Sequence, residues 1–474
     1  MRVYEVIFLS IVALLGLACV VLSIFGLELQ LSHGWPTALV ALASLVFMVY
    51  VVRQGPRWQM APAYVAFVAL TVAFSMSPFG MPNLLISLTA FALLAVAATL
   101  VLCYLLPMFR FAPLTGPHKV GTSIHHLTDT SRQDQSPSGH RELMIQLWYP
   151  AAPSRNKFAP YRRAAETTRT SSYQAVLRTR SRLDAPVADG IFPVLLFNPA
   201  WNGRRTQNTF LTEELASYGF VVAAIDHTYN SEPVAFPDGR VVWANHIREM
   251  EEVSSTTPAE IQRIGNAEVE RQVLDCRFVL DSLALWHQQQ GSRWYGHLDT
   301  GNAGALGHSL GGAVAVECWA TDPHVQAAMN MDGWTFGTQA STGERQPIPT
   351  RQAPLLFLYE SNYSPFPEPA GKSETEHQVD LWDAAHVRQL LTRYGGYILK
   401  IDGANHMNFT DRAITSPLRK LAGGGPIDPR LAHRIIRDYA VNFFNQALRG
   451  QPSILLNSQS RYPEVTAPGI EPQP

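Results

Sequence analysis

The chain has 474 residues, a formal net charge of −1 and no run of basic residues, so it lacks the positive surface that neutralises several nucleic-acid phosphates and is not expected to bind nucleic acid. Its averages of 47% hydrophobic and 16% charged residues look globular. Those averages hide a break, because residues 1 to 109 hold almost no charge while the remainder is ordinarily polar, which implies two solvents and more than one domain.

From the N-terminus, four uncharged stretches at about 6–27, 36–52, 61–79 and 84–106 approach the roughly 20 apolar residues that a helix needs to cross a bilayer. In lipid the backbone must satisfy its own hydrogen bonds, so each stretch is expected to be helical. The expected organisation is an all-α transmembrane region of about four helices over 1–110 and a second domain over 111–474. Arg2, Arg53, Arg57, Arg110 and Lys119 fall at alternate ends of these spans, whereas the loops near Glu28–Trp35 and Ser77–Asn83 carry neither Lys nor Arg. Positive residues stay on the cytoplasmic side, so four crossings of the inner or plasma membrane put the second domain in the cytoplasm, and an odd number would put it outside. A cleaved signal peptide is the competing reading of the first stretch; its apolar run is long for one, and three more runs follow. The four cysteines, Cys19, Cys103, Cys276 and Cys318, form no CxxC pair or disulfide framework and read as ordinary buried thiols.

Beyond about residue 115, short β-rich runs alternate with amphipathic segments. Strands are expected at 142–150, 192–199 and 221–227, in AGALGH, in VQAAMNMD, in PLLFLYES and in YILKIDG, with helices at 209–218, 258–288, from Leu310, at 379–394 and at 429–447. Near-continuous apolar strands alternating with helices indicate an α/β domain whose mostly parallel sheet is covered on both faces. The polar stretches 153–188 and 363–378 interrupt this rhythm and read as insertions at the sheet's edge or over its mouth. The tail after Arg449 ends in a Pro-rich run.

Gly307-His308-Ser309-Leu310-Gly311 matches G-x-S-x-G between an apolar strand and the helical AVAVECWA, the strand–turn–helix setting of a nucleophile elbow. Flanking glycines permit the sharp turn, and the N–H of Leu310 then points toward a developing oxyanion. A second donor is expected from the loop containing Trp201-Asn202-Gly203. Serine needs a base oriented by a third group. Of the 15 histidines, His406 follows the last strand, as the chain order Ser, acid, His requires; His308 and His227 read as structural. Three acids end strands or lie nearby: Asp332, Glu360 and Asp402. Metal-ligand spacings such as HExxH and Gly-rich phosphate loops are absent from the sequence, so neither metal nor organic cofactor is expected.

The elbow GHSLGG, the MDGW block 23 positions later and the histidine in NHMNFTD resemble the plasma-type (group VII) platelet-activating-factor acetylhydrolase family and its bacterial relatives in order and approximate spacing. Upstream, FPVLLFNPAWNG, LASYGFVVAAIDH and RQVLDCRFVLDSL are similar to that family's oxyanion strand, following strand and pre-elbow helix, so the likeness spans about 140–450 and leaves the membrane region outside it. The resemblance implies an α/β-hydrolase fold with Ser309 as nucleophile, Asp332 as acid, His406 as base, and the N–H groups of Trp201 and Leu310 as oxyanion donors. The family's oxyanion loop usually reads SHGxG, so Trp201 in NPAWNG is matched by position alone. The activity implied is hydrolysis of short-acyl or lipid-like esters through an acyl-enzyme. The alternatives are an acyltransferase using the same residues and a catalytically silent scaffold at the membrane. The expected partners are a lipid or small-molecule ester and a lipid bilayer; oligomeric state is not legible.

Overall fold

The computed structural model describes residues 2–24, 35–76, 82–244, 257–337, 354–369, 371, 373–420, 422–457 and 461–469. They fall into two compact units: Met1–Arg110 with Arg162–Leu177 and Thr415–Leu418, and Phe111–Tyr161 with Arg178–Ile414 and Arg419–Pro474.

The first unit is built on four helices, α1 (Val3–Ile24), α2 (Trp35–Gln54), α3 (Ala61–Met76) and α4 (Pro82–Leu105). The apolar windows Val3–Val20 in α1 and Ile86–Leu105 in α4 are long enough to cross a membrane, whereas Val40–Gln54 and Trp58–Ala73 are shorter apolar helices. Among the described residues, two of the four spans expected therefore meet the length requirement. The two charge-poor loops fall mostly outside the described residues. Phe8, Leu15, Ala66, Leu70 and Ala92 pack inside, yet Leu14, Leu17, Leu45, Met48, Val68 and Leu94 on the outer faces are each more than half exposed. The charges gather at one end. Glu5 takes Arg57 through Oε1 at 2.7 Å and Oε2 at 2.9 Å, and Arg2 reaches the carbonyls of Gln54 and Gly55.

The second unit holds an 11-stranded sheet in the order β13-β12-β11-β10-β9-β5-β6-β2-β1-β4-β3. Its centre is six parallel strands: β12 (Tyr397–Ile401), β11 (Leu355–Tyr359), β10 (Val325–Met331), β9 (Leu298–His308), β5 (Phe192–Asn198) and β6 (Val221–Asp226). Every residue of β5 and β6 is buried, as in a sheet covered on both faces, and this explains their unbroken apolar sequences. β2 (His140–Ala151) runs antiparallel to β6, and β1 (Lys119–Gln133) antiparallel to β2. Part of the stretch 153–188 forms β3 (Phe158–Pro160) and β4 (Arg178–Leu183) at this edge, while Arg162–Leu177 belongs to the helical unit. The tail contributes β13 (Val465–Thr466), antiparallel to β12. A two-stranded ribbon, β7 (Val234–Ala235) with β8 (Val241–Val242), stands apart.

Among the described residues the unit's α-helices are α5 (Thr209–Ser217), α6 (Pro258–Gln288), α7 (Leu310–Thr321), α8 (Glu374–Tyr394), α9 (Pro429–Arg449) and the short α10 (Ile454–Asn457). Their ends follow local chemistry. Thr257 caps α6 by accepting from the N–H of Glu260, with Pro258 at the first position; Ser373 and Glu376 form a reciprocal capping box on α8. Asp428 caps α9, which stops at Gly450 in the left-handed conformation.

Candidate active site

The parallel strands β9, β10, β11 and β12 all end at one edge, and the loops leaving them supply the site. β9 ends at His308, the chain turns at Ser309, and α7 starts at Leu310. Ser309 has φ 56° and ψ −127°, a conformation that costs a non-glycine residue about 1–3 kcal/mol and persists only where its surroundings enforce it. The enforcement is visible: the N–H of Ser309 donates to the carbonyl of Met331 at 2.9 Å, and the N–H of Gly312 donates to the carbonyl of Ser309 at 2.8 Å. Glycine is required at Gly307 and Gly311, because a Cβ on the first would overlap the backbone of Gly311 and one on the second the backbone of Asn198. The turn leaves Ser309 part-exposed on a cavity of about 560 Å³. Leu310, as first residue of α7, has an N–H with no intrahelical partner.

Asp332 follows β10 and, like Ser309, has a positive φ, 56°. Its carboxylate is used twice: Oδ1 accepts from the backbone N–H of Glu360 at 2.8 Å, and Oδ2 meets His406 Nδ1 at 2.6 Å. A carboxylate can only accept here, so Nδ1 carries the proton and Nε2 is left to act. Burial alone would lower the pKa of His406, but the hydrogen bond and charge of Asp332, aided by Glu360, outweigh it and raise the pKa above the ordinary imidazole value of 6.5.

Ser309, Leu310, Asp332, His406 and Trp201 all line the one cavity. Of the other two acids, Glu360 lines it as well but presents its backbone to Asp332, while Asp402 lies 3.6 Å from Lys400. His227 is buried between Asp275 and Asn198 and does not line the cavity. The apolar wall includes Ile261, Ile264, Phe336 and Tyr363, so part of the stretch 363–378 borders the site. Among the described residues no group of three or more His, Cys, Asp or Glu could hold a metal ion.

Sequence reasoning assigned no role to several supporting residues. Asp411 bonds the N–H groups of Thr209 and Phe210 at 2.9 and 3.1 Å, and Asn208 Nδ2 bonds the carbonyl of Phe409 at 2.7 Å. These bonds stitch the loop bearing His406 to the start of α5, just beyond Trp201. Asp411 closes the NHMNFTD run, but nothing local ties it to a helix start some 200 residues away.

The pattern of the family described as platelet-activating factor acetylhydrolase, isoform II, matches residues 108–453. A probable 1-alkyl-2-acetylglycerophosphocholine esterase of Arthroderma benhamiae is 25% identical over 406 residues, which cover 78% of this chain and 95% of that protein. The platelet-activating factor acetylhydrolase of Cavia porcellus is 22% identical over 299 residues, 57% of this chain and 61% of that one. Among solved structures, a ferulic acid esterase from Streptomyces cinnamoneus aligns with a TM-score of 0.59 and 32% identity, covering 76% of this chain and 98% of its own.

Proposed function

We propose, since the chain belongs to the platelet-activating factor acetylhydrolase, isoform II, family, that Ser309 is its nucleophile, His406 its general base and Asp332 the acid that orients the base. The chain is a serine hydrolase of carboxylic esters. The observation that carries the assignment is the 2.6 Å contact of His406 Nδ1 with Asp332, on a cavity shared with a serine held in a strained turn. His406 Nε2 takes the Ser309 proton as Oγ attacks the ester carbonyl, and the N–H groups of Leu310 and Trp201 receive the oxyanion. The imidazolium returns its proton to the departing alcohol. Water, deprotonated by the same nitrogen, then cleaves the acyl-enzyme and restores Ser309. No step requires a metal or organic cofactor.

The substrates on this reading are short-acyl or lipid-like esters. One relative is named as an esterase of a 1-alkyl-2-acetylglycerophosphocholine and another as a platelet-activating factor acetylhydrolase, and a hydrolase tethered at a bilayer meets such molecules at high local concentration. With the full chain in detergent, kcat/KM across p-nitrophenyl esters of graded acyl length is expected to be highest for acetyl and butyryl, and Ser309→Ala to be inactive on all. A long-chain optimum would contradict the short-acyl reading. Free acid is the expected product even with a competing alcohol present; predominant transfer would make the enzyme an acyltransferase.

The helical unit is read as embedded in the inner or plasma membrane, with α2 and α3 completing a four-helix bundle beside α1 and α4. What supports this is the run of large apolar side chains on its outer faces; a helix apolar all round is buried in protein or in lipid. Arg2, Arg53 and Arg57 then mark the cytoplasmic side, and the catalytic domain is cytoplasmic. The full chain is expected to stay with membranes through alkaline carbonate extraction, and release into the supernatant would contradict insertion.

A further inference from the structure

His308, beside the nucleophile, lies fully buried at the end of β9 and makes two hydrogen bonds. Its Nε2 is 3.0 Å from the backbone carbonyl oxygen of His406, and its Nδ1 is 3.0 Å from Nε2 of Gln207. The other end of the Gln207 amide, Oε1, accepts from the N–H of Ala200 at 3.2 Å. Donor and acceptor chemistry allows this chain to run in one direction only. The carbonyl of His406 can only accept, so His308 Nε2 carries the proton. Nδ1 then offers a lone pair, the Gln207 amide must point its NH₂ there, and its oxygen is left for the backbone N–H of Ala200.

The geometry points to His308 as a positioning residue: through one imidazole and one amide it ties together the loop carrying the base, the strand carrying the nucleophile and the loop carrying Trp201. The inference rests on the Ser309–His406–Asp332 reading above. The three segments are far apart in sequence, at 198–207, 308 and 406, and each supplies a different part of the proposed machinery. Burial, and then the neighbouring His406, hold the His308 pKa well below the ordinary imidazole value, so the neutral ring that the chain requires is the stable form. Protonation would put a second N–H against the Gln207 NH₂. The two imidazole rings lie 4.3 Å apart between centroids, so a shift of His308 is felt directly by the ring of His406.

This clamp is separate from the bonds that hold the fold. The loop after His406 remains stitched to α5 through Asp411 and Asn208, and β9 remains paired to β5 and β10. His308→Phe keeps an aromatic ring, slightly larger than imidazole, and removes both bonds. It is expected to lower kcat by about 10- to 100-fold, the scale of a misplacement near 1 Å, with KM little changed, while the melting transition persists. His308→Gln retains an N–H within reach of the His406 carbonyl and is expected to recover part of that loss. Gln207→Met, at a part-exposed position, tests the same chain without touching the elbow: it should lower kcat alone, and combined with His308→Phe it should add nothing further. Should His308→Phe fail to fold, the loss of kcat in Gln207→Met carries the test.

Wild-type kcat in Gln207→Met or in a folded His308→Phe, an effect confined to KM, or losses that multiply in the double variant would overturn the inference. Ser309→Ala run in parallel separates the two claims. If it is inactive while His308→Phe is fully active, the clamp alone is wrong; if it retains activity, the nucleophile reading falls as well.

Discussion

Ser309→Ala is expected to lower kcat by about 10⁶-fold, the scale seen when a serine hydrolase loses its nucleophile, while the protein stays folded and binds substrate. The large loss follows from the covalent route: with no Oγ to attack, only orientation and the oxyanion donors remain, and these alone give weak catalysis over water. The intact fold follows from the elbow. The bonds that enforce it use the N–H and carbonyl of residue 309 and the N–H of Gly312, and alanine keeps all of them. Alanine also meets the same strain at φ 56°, so the melting temperature should move little. Steady-state kinetics, a melting curve and a binding measurement with an unreactive ester analogue check the three parts. Activity within about tenfold of wild type would contradict the assignment.

Asp332→Asn is expected to lower kcat by about 10³- to 10⁴-fold with almost no change in structure. The asparagine oxygen can still accept from the N–H of Glu360, as Oδ1 does at 2.8 Å. That directs the NH₂ at His406 Nδ1, where Oδ2 now sits at 2.6 Å. Nδ1 must then accept, the proton moves to Nε2, and the nitrogen proposed to take the Ser309 proton is no longer a base. The pH profile gives a second readout. Below the pKa of His406 the base is protonated, so kcat/KM of the wild type should fall about tenfold per pH unit, with its midpoint above 6.5 because Asp332 raises that pKa. Without the carboxylate this support is gone, and the acid limb should move to lower pH. A variant with wild-type kcat and an unmoved limb would show that Asp332 does not orient the base.

The central strands and long helices were legible because burial on both sides dictates unbroken apolar sequence, as in FPVLLFN and VVAAID; the helix expected at 258–288 runs from Pro258 to Gln288. β1 was not anticipated: KVGTSIHHLTDTSRQ is largely polar over its second half, where exposed positions alternate with buried ones. β3 and β4 were hidden in a polar insertion and owe their place to β1 as a template. At the site, Ser309 and the neighbourhood of His406 could be read from local motif and chain order, but the choice among Asp332, Glu360 and Asp402 rested on resemblance. Spacing cannot say which carboxylate meets an imidazole across the sheet edge. The bonds that join Gln207, His308 and the His406 carbonyl left no sequence signal, since the partners sit about 100 residues apart. In the helical unit, Glu5 lies in the first turn of α1, just outside the uncharged stretch, and its buried pairing with Arg57 is likewise a contact between distant residues.

Reaction of the full chain with a fluorophosphonate, followed by peptide mass mapping, tests the central claim most directly, because that reagent captures a serine only where a base has activated it. The adduct is predicted on Ser309, absent from Ser309→Ala and strongly slowed in Asp332→Asn. An adduct on another residue, or equal labelling of Ser309→Ala, would mean that the turn between β9 and α7 does not hold the nucleophile.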